Sequence, residues 1–362
     1  MRTRAVVVRA AGEPARVEQI TLREPGPGEV LVRVAAASVC HSDLSVANET
    51  LVHNKPVVLG HETSGLVAKT GPGVDGFAEG DPVLLLWNPP CRECWYCTQG
   101  EPYLCENIER HWAGSHGVDD DGNPTHPCLG VGGFAEYTVV PVAACRRLPA
   151  DIPLDLAALL GCAVTTGVGA VLSTANVHSG QSVVVVGLGG VGLAAVQGAR
   201  IAGADPIIAV DRVEEKLALA ASMGATETLL AGPEVRKRVK ALTGGRGADH
   251  VFDCVGLAAT IKEGWKTARR GGTLTVVGIG GRTEVVEFSS LELYHFARSI
   301  LTCVNGSLDP DRELPAYIEH VRAGRLDLPA LVSKEIGLDG VPAALGELAE
   351  GRLARVLVKP GI

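Results

Sequence analysis

No apolar run in the 362-residue chain approaches the roughly 20 residues that a bilayer-spanning helix requires, so no membrane partner is expected. The N-terminal stretch MRTRAVVVRA carries two arginines, but the apolar run after them is too short for a secretory signal. Basic runs are missing as well. The chain has 41 acidic residues against 33 lysines and arginines, a net charge of −8, which argues against nucleic acid as the main partner. No internal repeat or low-complexity linker is present. Without an export signal, the ten cysteines are expected to be thiols or metal ligands rather than disulfides, and the chain to be cytoplasmic.

What is present suggests two domains, since the chain is too long for one small core. Through about residue 150, short β-branched runs (VVVRA, EVLVRVAAASV, GLVAKTG, DPVLLLW, EYTVV) alternate with Gly and Pro, a pattern of many short strands joined by turns. Then the texture changes. DLAALLGCAVTTGVGAVL, from residue 155, is Ala/Leu-rich and predicts a helix. Strands are predicted at SVVVVG (182–187), PIIAVD (206–211), HVFDCV (250–255) and GTLTVVG (272–278), with helices between them. That alternation indicates a parallel sheet with helices on both faces. The last 55 residues are mixed in character.

The segment GLGGVG (187–192) follows a predicted strand and opens a predicted helix, the context in which a glycine fingerprint carries weight. Gly187 permits the tight turn, Gly189 the approach of a pyrophosphate, and Gly192 close helix–strand packing. Gly190 and Val191 lie at the helix N-terminus, whose free N–H groups suit phosphates. Asp211 stands at the end of the next strand. There it can accept both ribose hydroxyls of NAD and repel the extra phosphate of NADP, or it can cap the helix of VEEKLALAA. The neighbouring Arg212 is the feature that would accommodate a 2′-phosphate. Together these favour a dinucleotide site with NAD preferred.

Cys91, Cys94, Cys97 and Cys105 crowd into one short stretch. Four thiolates complete a tetrahedral zinc and leave no open position, as in a structural site; unrelated thiols and a redox CxxC pair are the alternatives. A second set is dispersed: Cys40, the GHE of 60–62 and the GC of 161–162. Two thiolates and an imidazole would balance a zinc ion and leave one position for substrate, as catalysis demands.

The stretch GHETSGLVAKTGPGV (60–74) resembles the signature of the zinc-containing medium-chain alcohol dehydrogenases. CHSD (40–43) precedes it, and the four-cysteine lobe, GCAVTTGVGA (161–170) and GLGGVG with Asp211 follow in the family's order. The resemblance implies an α/β fold: a GroES-like β-rich catalytic domain (1–163 and 305–362, with a zinc lobe at 88–106) and an inserted Rossmann domain with a doubly wound parallel sheet (164–304). It implies two zinc ions per chain. Cys40, His61 and Cys162 would hold the catalytic one, with Glu62 behind it as an occasional ligand, and Cys91, Cys94, Cys97 and Cys105 the structural one. Asp43 would orient His61, and Ser42 would pass the alcohol proton to the cofactor ribose. Hydride would move between an alcohol and NAD, reversibly, with zinc easing loss of the alcohol proton. His41, Thr166, Lys216, Val277, Gly278, Ile279 and Arg355 fall at cofactor-contact positions. Trp87 falls at a pocket position, where its indole favours primary or flat alcohols.

Two departures stand out. Several relatives end the proton relay with a histidine where this chain has Ser45, and His53 is nearby in sequence. The glutathione-linked formaldehyde dehydrogenase branch holds its carboxylate substrate with an arginine at the position of Glu109, with Arg110 beside it, so that function is disfavoured. The other readings are a reductase of conjugated C=C or C=N bonds, a nicotinoprotein with tightly held NAD, and a non-catalytic protein on the same scaffold. The family's habit implies a homodimer or homotetramer joined through a sheet edge near ARSILTCVNG (297–306).

Overall fold

The computed structural model describes residues 1–351 and 353–361. The chain divides into two compact units, Met1–Ala163 with Val332–Ile362, and Val164–Leu331.

In the first unit, five short strands close a barrel, and a seven-stranded sheet carries the functional ends. Its central strand, Glu29–Ser38, is apolar along most of its length and is paired on both sides. It runs antiparallel to Glu62–Thr70 with Ser38 opposite Glu62, and antiparallel to Arg355–Val358 with Leu357 opposite Ser38. Cys40 therefore leaves the sheet at the end where His61 and Arg355 enter it. The strand Pro82–Leu85 pairs Leu85 with Thr63, so Trp87, two residues on, emerges at the same end. Gly60 makes the turn into His61. Its φ is +94°, and a Cβ there would run into the Phe134 amide and ring.

Residues 155–172 do not form one helix. A helical turn, Leu154–Ala157, tightens to a 3₁₀ turn at Ala158–Gly161 and breaks at Cys162 (φ −152°, ψ −65°); the next helix is Ala163–Gly169. The cause is packing: a Cβ on Gly161 would lie 3.2 Å from the Glu62 Cα, so the chain crosses the Glu62 strand in close contact and then turns Cys162 out.

The second unit contains a six-stranded parallel sheet in the order Glu227–Leu230, Ile207–Asp211, Val183–Val186, Ala248–Asp253, Ala268–Val276, Ser299–Thr302. In chain order this is 3-2-1-4-5-6, the doubly wound Rossmann arrangement. Val184, Ile208, Val251, Leu274 and Trp265 pack its core. The strand Glu227–Leu230 and the helix Val235–Leu242 had no signal in the sequence pattern.

Residues 305–331, expected to return to the first domain, group with this unit instead. Gln197 on the helix Gly190–Ala202 donates to the Asp327 carbonyl (3.2 Å) and accepts the Asp327 amide (2.6 Å). Arg200 donates to the Arg325 carbonyl, and Thr174 bonds Ser307 at 2.8 Å. No single helix among the described residues is long and apolar enough to cross a membrane.

Candidate active site

Four side chains of the first unit converge at the sheet end. The ligand atoms of Cys40, His61, Glu62 and Cys162 all lie within 4.8 Å of one another, and all four residues are buried. Cys40 precedes the helix His41–Ala47, whose N-terminus is closed by Asp43: the Asp43 Oδ2 accepts the Cys40 amide at 3.0 Å. Its Oδ1 accepts the Gly60 amide (2.9 Å) and His61 Nδ1 (3.1 Å). Asp43 is fully buried, so these charge-assisted bonds, each worth about 1.5–3 kcal/mol, fix both the turn and the imidazole. Nδ1–H pointing at a carboxylate leaves the Nε2 lone pair facing the two thiols.

That Nε2 has no hydrogen-bond partner although it is buried. Such an orphan costs about 1–3 kcal/mol unless something satisfies it. A zinc ion fits: two thiolates balance its charge, and one imidazole nitrogen already carries its orienting carboxylate. The Cys162 thiol, then Arg355 and His61, hold the Cys40 thiol well below its ordinary range against the effect of burial. Burial pushes Glu62 up to about 8, with Arg355 pulling the other way. Arg355 Nη2 sits 3.4 Å from Glu62 Oε1 and 3.7 Å from Cys40 Sγ, and Nη1 donates to the Val39 carbonyl. This arginine is 3% exposed, and its Nη2 faces the Glu62 carboxyl and the Cys40 thiol.

Ser42 Oγ lies 3.8 Å from Cys40 Sγ. His41 opens the helix and is exposed. Ser45 is buried on the same helix, and its carbonyl accepts the Leu51 amide. His53 does not extend a proton path. Its Nδ1–H donates to the Asn54 carbonyl and its Nε2 accepts the Leu129 amide, each at 3.2 Å, so both nitrogens are committed to backbone. Trp87 is half-buried and faces Trp112 with ring centroids 6.1 Å apart; Trp112 Nε1 donates to the Trp87 carbonyl at 3.0 Å. Both indoles pack on the apolar cluster that contains Leu44, Cys128 and Leu129.

The other four thiols form a separate group, Cys91, Cys94, Cys97 and Cys105, with all Sγ atoms within 4.8 Å. Cys91 Sγ accepts from the Cys94 amide (3.3 Å) and from Asn107 Nδ2 (3.3 Å). Against its burial, the Asn107 amide and neighbouring backbone amides bring Cys91 down to about 6. A closed four-thiolate zinc fits this donor set.

In the second unit, Gly187 (φ +87°) turns the chain from the strand Val183–Val186 into the helix Gly190–Ala202. A Cβ on Gly192 would collide with the Gly187 carbonyl, whereas one on Gly189 would meet nothing within 4 Å. The open space beside Gly189, in front of the helix N-terminus that Gly190 and Val191 begin, suits a pyrophosphate. Asp211 closes the loop. Its Oδ2 accepts the Leu188 amide at 2.6 Å and its Oδ1 the Val213 amide at 3.0 Å, with lone pairs left for ribose hydroxyls. Arg212 is exposed. Burial lowers Lys216, while Asp211 nearby raises it. Val277 and Gly278 send their amides to the Asp253 carbonyl, which puts the 277–279 segment beside Val255–Gly256 at the carboxyl edge of the sheet, with Ile279 half exposed. Thr166 is nearly buried, its carbonyl 3.9 Å from Cys303 Sγ.

Two family models match in tandem, the alcohol dehydrogenase GroES-like domain over residues 26–150 and the zinc-binding dehydrogenase domain over 190–323. The chain belongs to the zinc-containing medium-chain alcohol dehydrogenase family. Among family members it is 34% identical to Alcohol dehydrogenase-like 5 of Arabidopsis thaliana, across 99% of this chain and 95% of that protein. The crystal structure of an alcohol dehydrogenase zinc-binding domain protein from Burkholderia ambifaria superposes with a TM-score of 0.92 at 33% identity, covering 99% of both chains. That of benzyl alcohol dehydrogenase from Acinetobacter calcoaceticus gives 0.91 at 28% identity, again over 99% of both.

The sequence pattern gave no hint of three neighbours of these medium-chain dehydrogenase sites. These are Asn107, Trp112 and Cys128. Only the fold brings Cys128 Sγ to 3.8 Å from Asp43 Oδ1 across 85 residues of sequence.

Proposed function

We propose that this oxidoreductase is a zinc-dependent, NAD-linked dehydrogenase that interconverts primary, preferably aromatic, alcohols and their aldehydes. The observation that carries the reading is the buried His61, its Nδ1 held by Asp43 and its Nε2 orphaned beside two thiols. Cys40, His61 and Cys162 would hold the catalytic zinc, and Cys91, Cys94, Cys97 and Cys105 a structural one. When bound, zinc supplies the Lewis acidity that polarises a carbonyl or acidifies an alcohol hydroxyl, and NAD supplies the hydride acceptor. Ser42, beside Cys40, takes the hydroxyl proton. Asp43 keeps His61 in its Nδ1–H tautomer, and Arg355 sets a positive charge beside the thiols and the Glu62 carboxyl. Asp211 recognises a ribose with a free 2′-hydroxyl, and its charge disfavours a phosphate there. Trp87, braced by Trp112, forms a flat apolar wall that suits an aromatic ring, in keeping with the likeness to a benzyl alcohol dehydrogenase. Glu109, at the start of the short helix Glu109–Trp112, would repel a carboxylate substrate.

None of the ten cysteines is in a disulfide, which suits a reducing compartment such as the cytoplasm. A homo-oligomer formed through the exposed sheet edge at Ser299–Thr302 completes the reading.

A panel of benzyl alcohol, ethanol and 2-propanol, each with NAD and NADP, tests it. Benzyl alcohol with NAD should give the highest kcat/KM, above ethanol by about 10-fold or more. Preference for the secondary alcohol, or for NADP, would contradict it.

A further inference from the structure

The Asp43 carboxylate that steadies His61 is itself held from a third side. Cys128 is fully buried, and its Sγ lies 3.8 Å from Asp43 Oδ1, the same oxygen that takes the Gly60 amide and His61 Nδ1. Asp43, His61 and Cys128 form one buried group with ligand atoms within 4.8 Å. Since His61 Nδ1 and Asp43 are already bonded to each other, the thiol acts there as a donor to the carboxylate.

The backbone that delivers this thiol is unusual. Leu129, next in sequence, has φ +48° and ψ +34°, a left-handed conformation that a bulky side chain adopts only under constraint. Gly130 (φ +75°) and Gly132 (φ +60°) share the left-handed region, and both are crowded: a Cβ on Gly130 would meet the His111 carbonyl at 2.9 Å, and one on Gly132 the His116 ring at 2.9 Å. The Leu129 side chain is buried in the cluster with Val46, Leu59 and Phe134. What holds its amide is His53, whose Nε2 accepts the Leu129 N–H at 3.2 Å. The Nδ1–H of His53 is committed to the Asn54 carbonyl, so the ring presents a lone pair at Nε2. His53 is 9% exposed, and burial lowers its pKa, which keeps it in that neutral acceptor form.

We infer that His53 is a positioning residue for the metal centre: it pins the Leu129 amide in a left-handed turn, which seats the Cys128 thiol on Asp43 and so restrains the His61 imidazole. This explains why a buried histidine so near the relay has no free nitrogen. Its task is to hold the turn behind the ligand. The inference rests on the reading that Cys40, His61 and Cys162 hold zinc.

The test is the rate at which purified enzyme loses its more labile zinc to a chromogenic chelator, followed beside the thermal midpoint. Removing a partner that orients a ligand typically weakens metal binding 10–100-fold. Cys128→Ala should therefore lose zinc about 10-fold faster than wild type, and Cys128→Ser, which keeps a donor, should stay close to wild type. His53→Leu should behave like Cys128→Ala. In that background Leu129→Gly, for which the left-handed turn carries no penalty, should restore slow release. A merely structural role for His53 would show no such rescue, because glycine removes packing and adds none. Cys128→Ala releasing zinc at the wild-type rate overturns the inference, however His53→Leu behaves, even if that variant fails to fold. A double variant as leaky as His53→Leu overturns it as well. The zinc content of wild type separates the two readings: a chain with only one zinc sinks the catalytic-metal reading and this inference with it, whereas two zinc ions and an indifferent Cys128→Ala sink this inference alone.

Discussion

Single buried residues carry much of the chemistry, and their environments determine what each can do. Asp43 can orient its neighbours because three donors besides the thiol converge on it. His116 is the opposite case. It is 1% exposed, neither ring nitrogen has a hydrogen-bond partner, and burial, with Arg23 and His126, pushes it down to about 3. Its folded pKa therefore lies below the unfolded value near 6.5, so the unfolded chain binds the extra proton first. The stability linked to His116 is complete above pH 6.5 and is lost as pH falls towards 3. His116→Leu should remove that loss. Urea unfolding at pH 7 and pH 4.5 should show wild type falling relative to the variant by about 2–3 kcal/mol. Equal falls in the two proteins would show that His116 is not the sensor.

At the scale of elements, the sheet edge makes the clearest demand. Ser299–Thr302 is the outermost strand of the Rossmann sheet, with Ile300 39% exposed. The preceding helix, Ser290–His295, leaves Leu291 69% and Tyr294 82% exposed. An apolar edge of this kind is an aggregation hazard unless another strand covers it. Ile300→Lys should shift the protein from an oligomer to single chains in light scattering. Wild type already running as a single chain would contradict the proposed pairing. The same scale shows what the sequence made legible. SVVVVG announces a buried strand, because four β-branched residues in a row suit nothing else so well, and the four close cysteines announce a thiol lobe by spacing alone. The break at Cys162 was illegible: Ala/Leu composition reports helix propensity, whereas the interruption comes from Gly161 pressing on the Glu62 strand. Residues 305–331 were assigned to the wrong unit for a similar reason, since the bonds from Gln197 and Arg200 that fasten them join residues more than a hundred positions apart.

Across the whole molecule, the candidate metal site is assembled by register. Ser38 opposite Glu62 and Leu357 opposite Ser38 bring together Cys40, His61 and Arg355 from the beginning and end of the chain, and Gly161 lays Cys162 beside them. Motifs singled out the side chains that the fold groups here because each motif is local, but contacts such as Cys128 on Asp43 belong only to the fold. The central claim is that this assembly holds a second, functional zinc in addition to that of the four-cysteine lobe. Its most direct test is the zinc content per chain of wild type and Cys162→Ser, with benzyl alcohol oxidation recorded on the same samples. The account predicts two zinc ions in wild type, one in the variant, and loss of NAD reduction with the lobe zinc intact. A wild type with a single zinc, or a variant that keeps both zinc ions and full turnover, would contradict it.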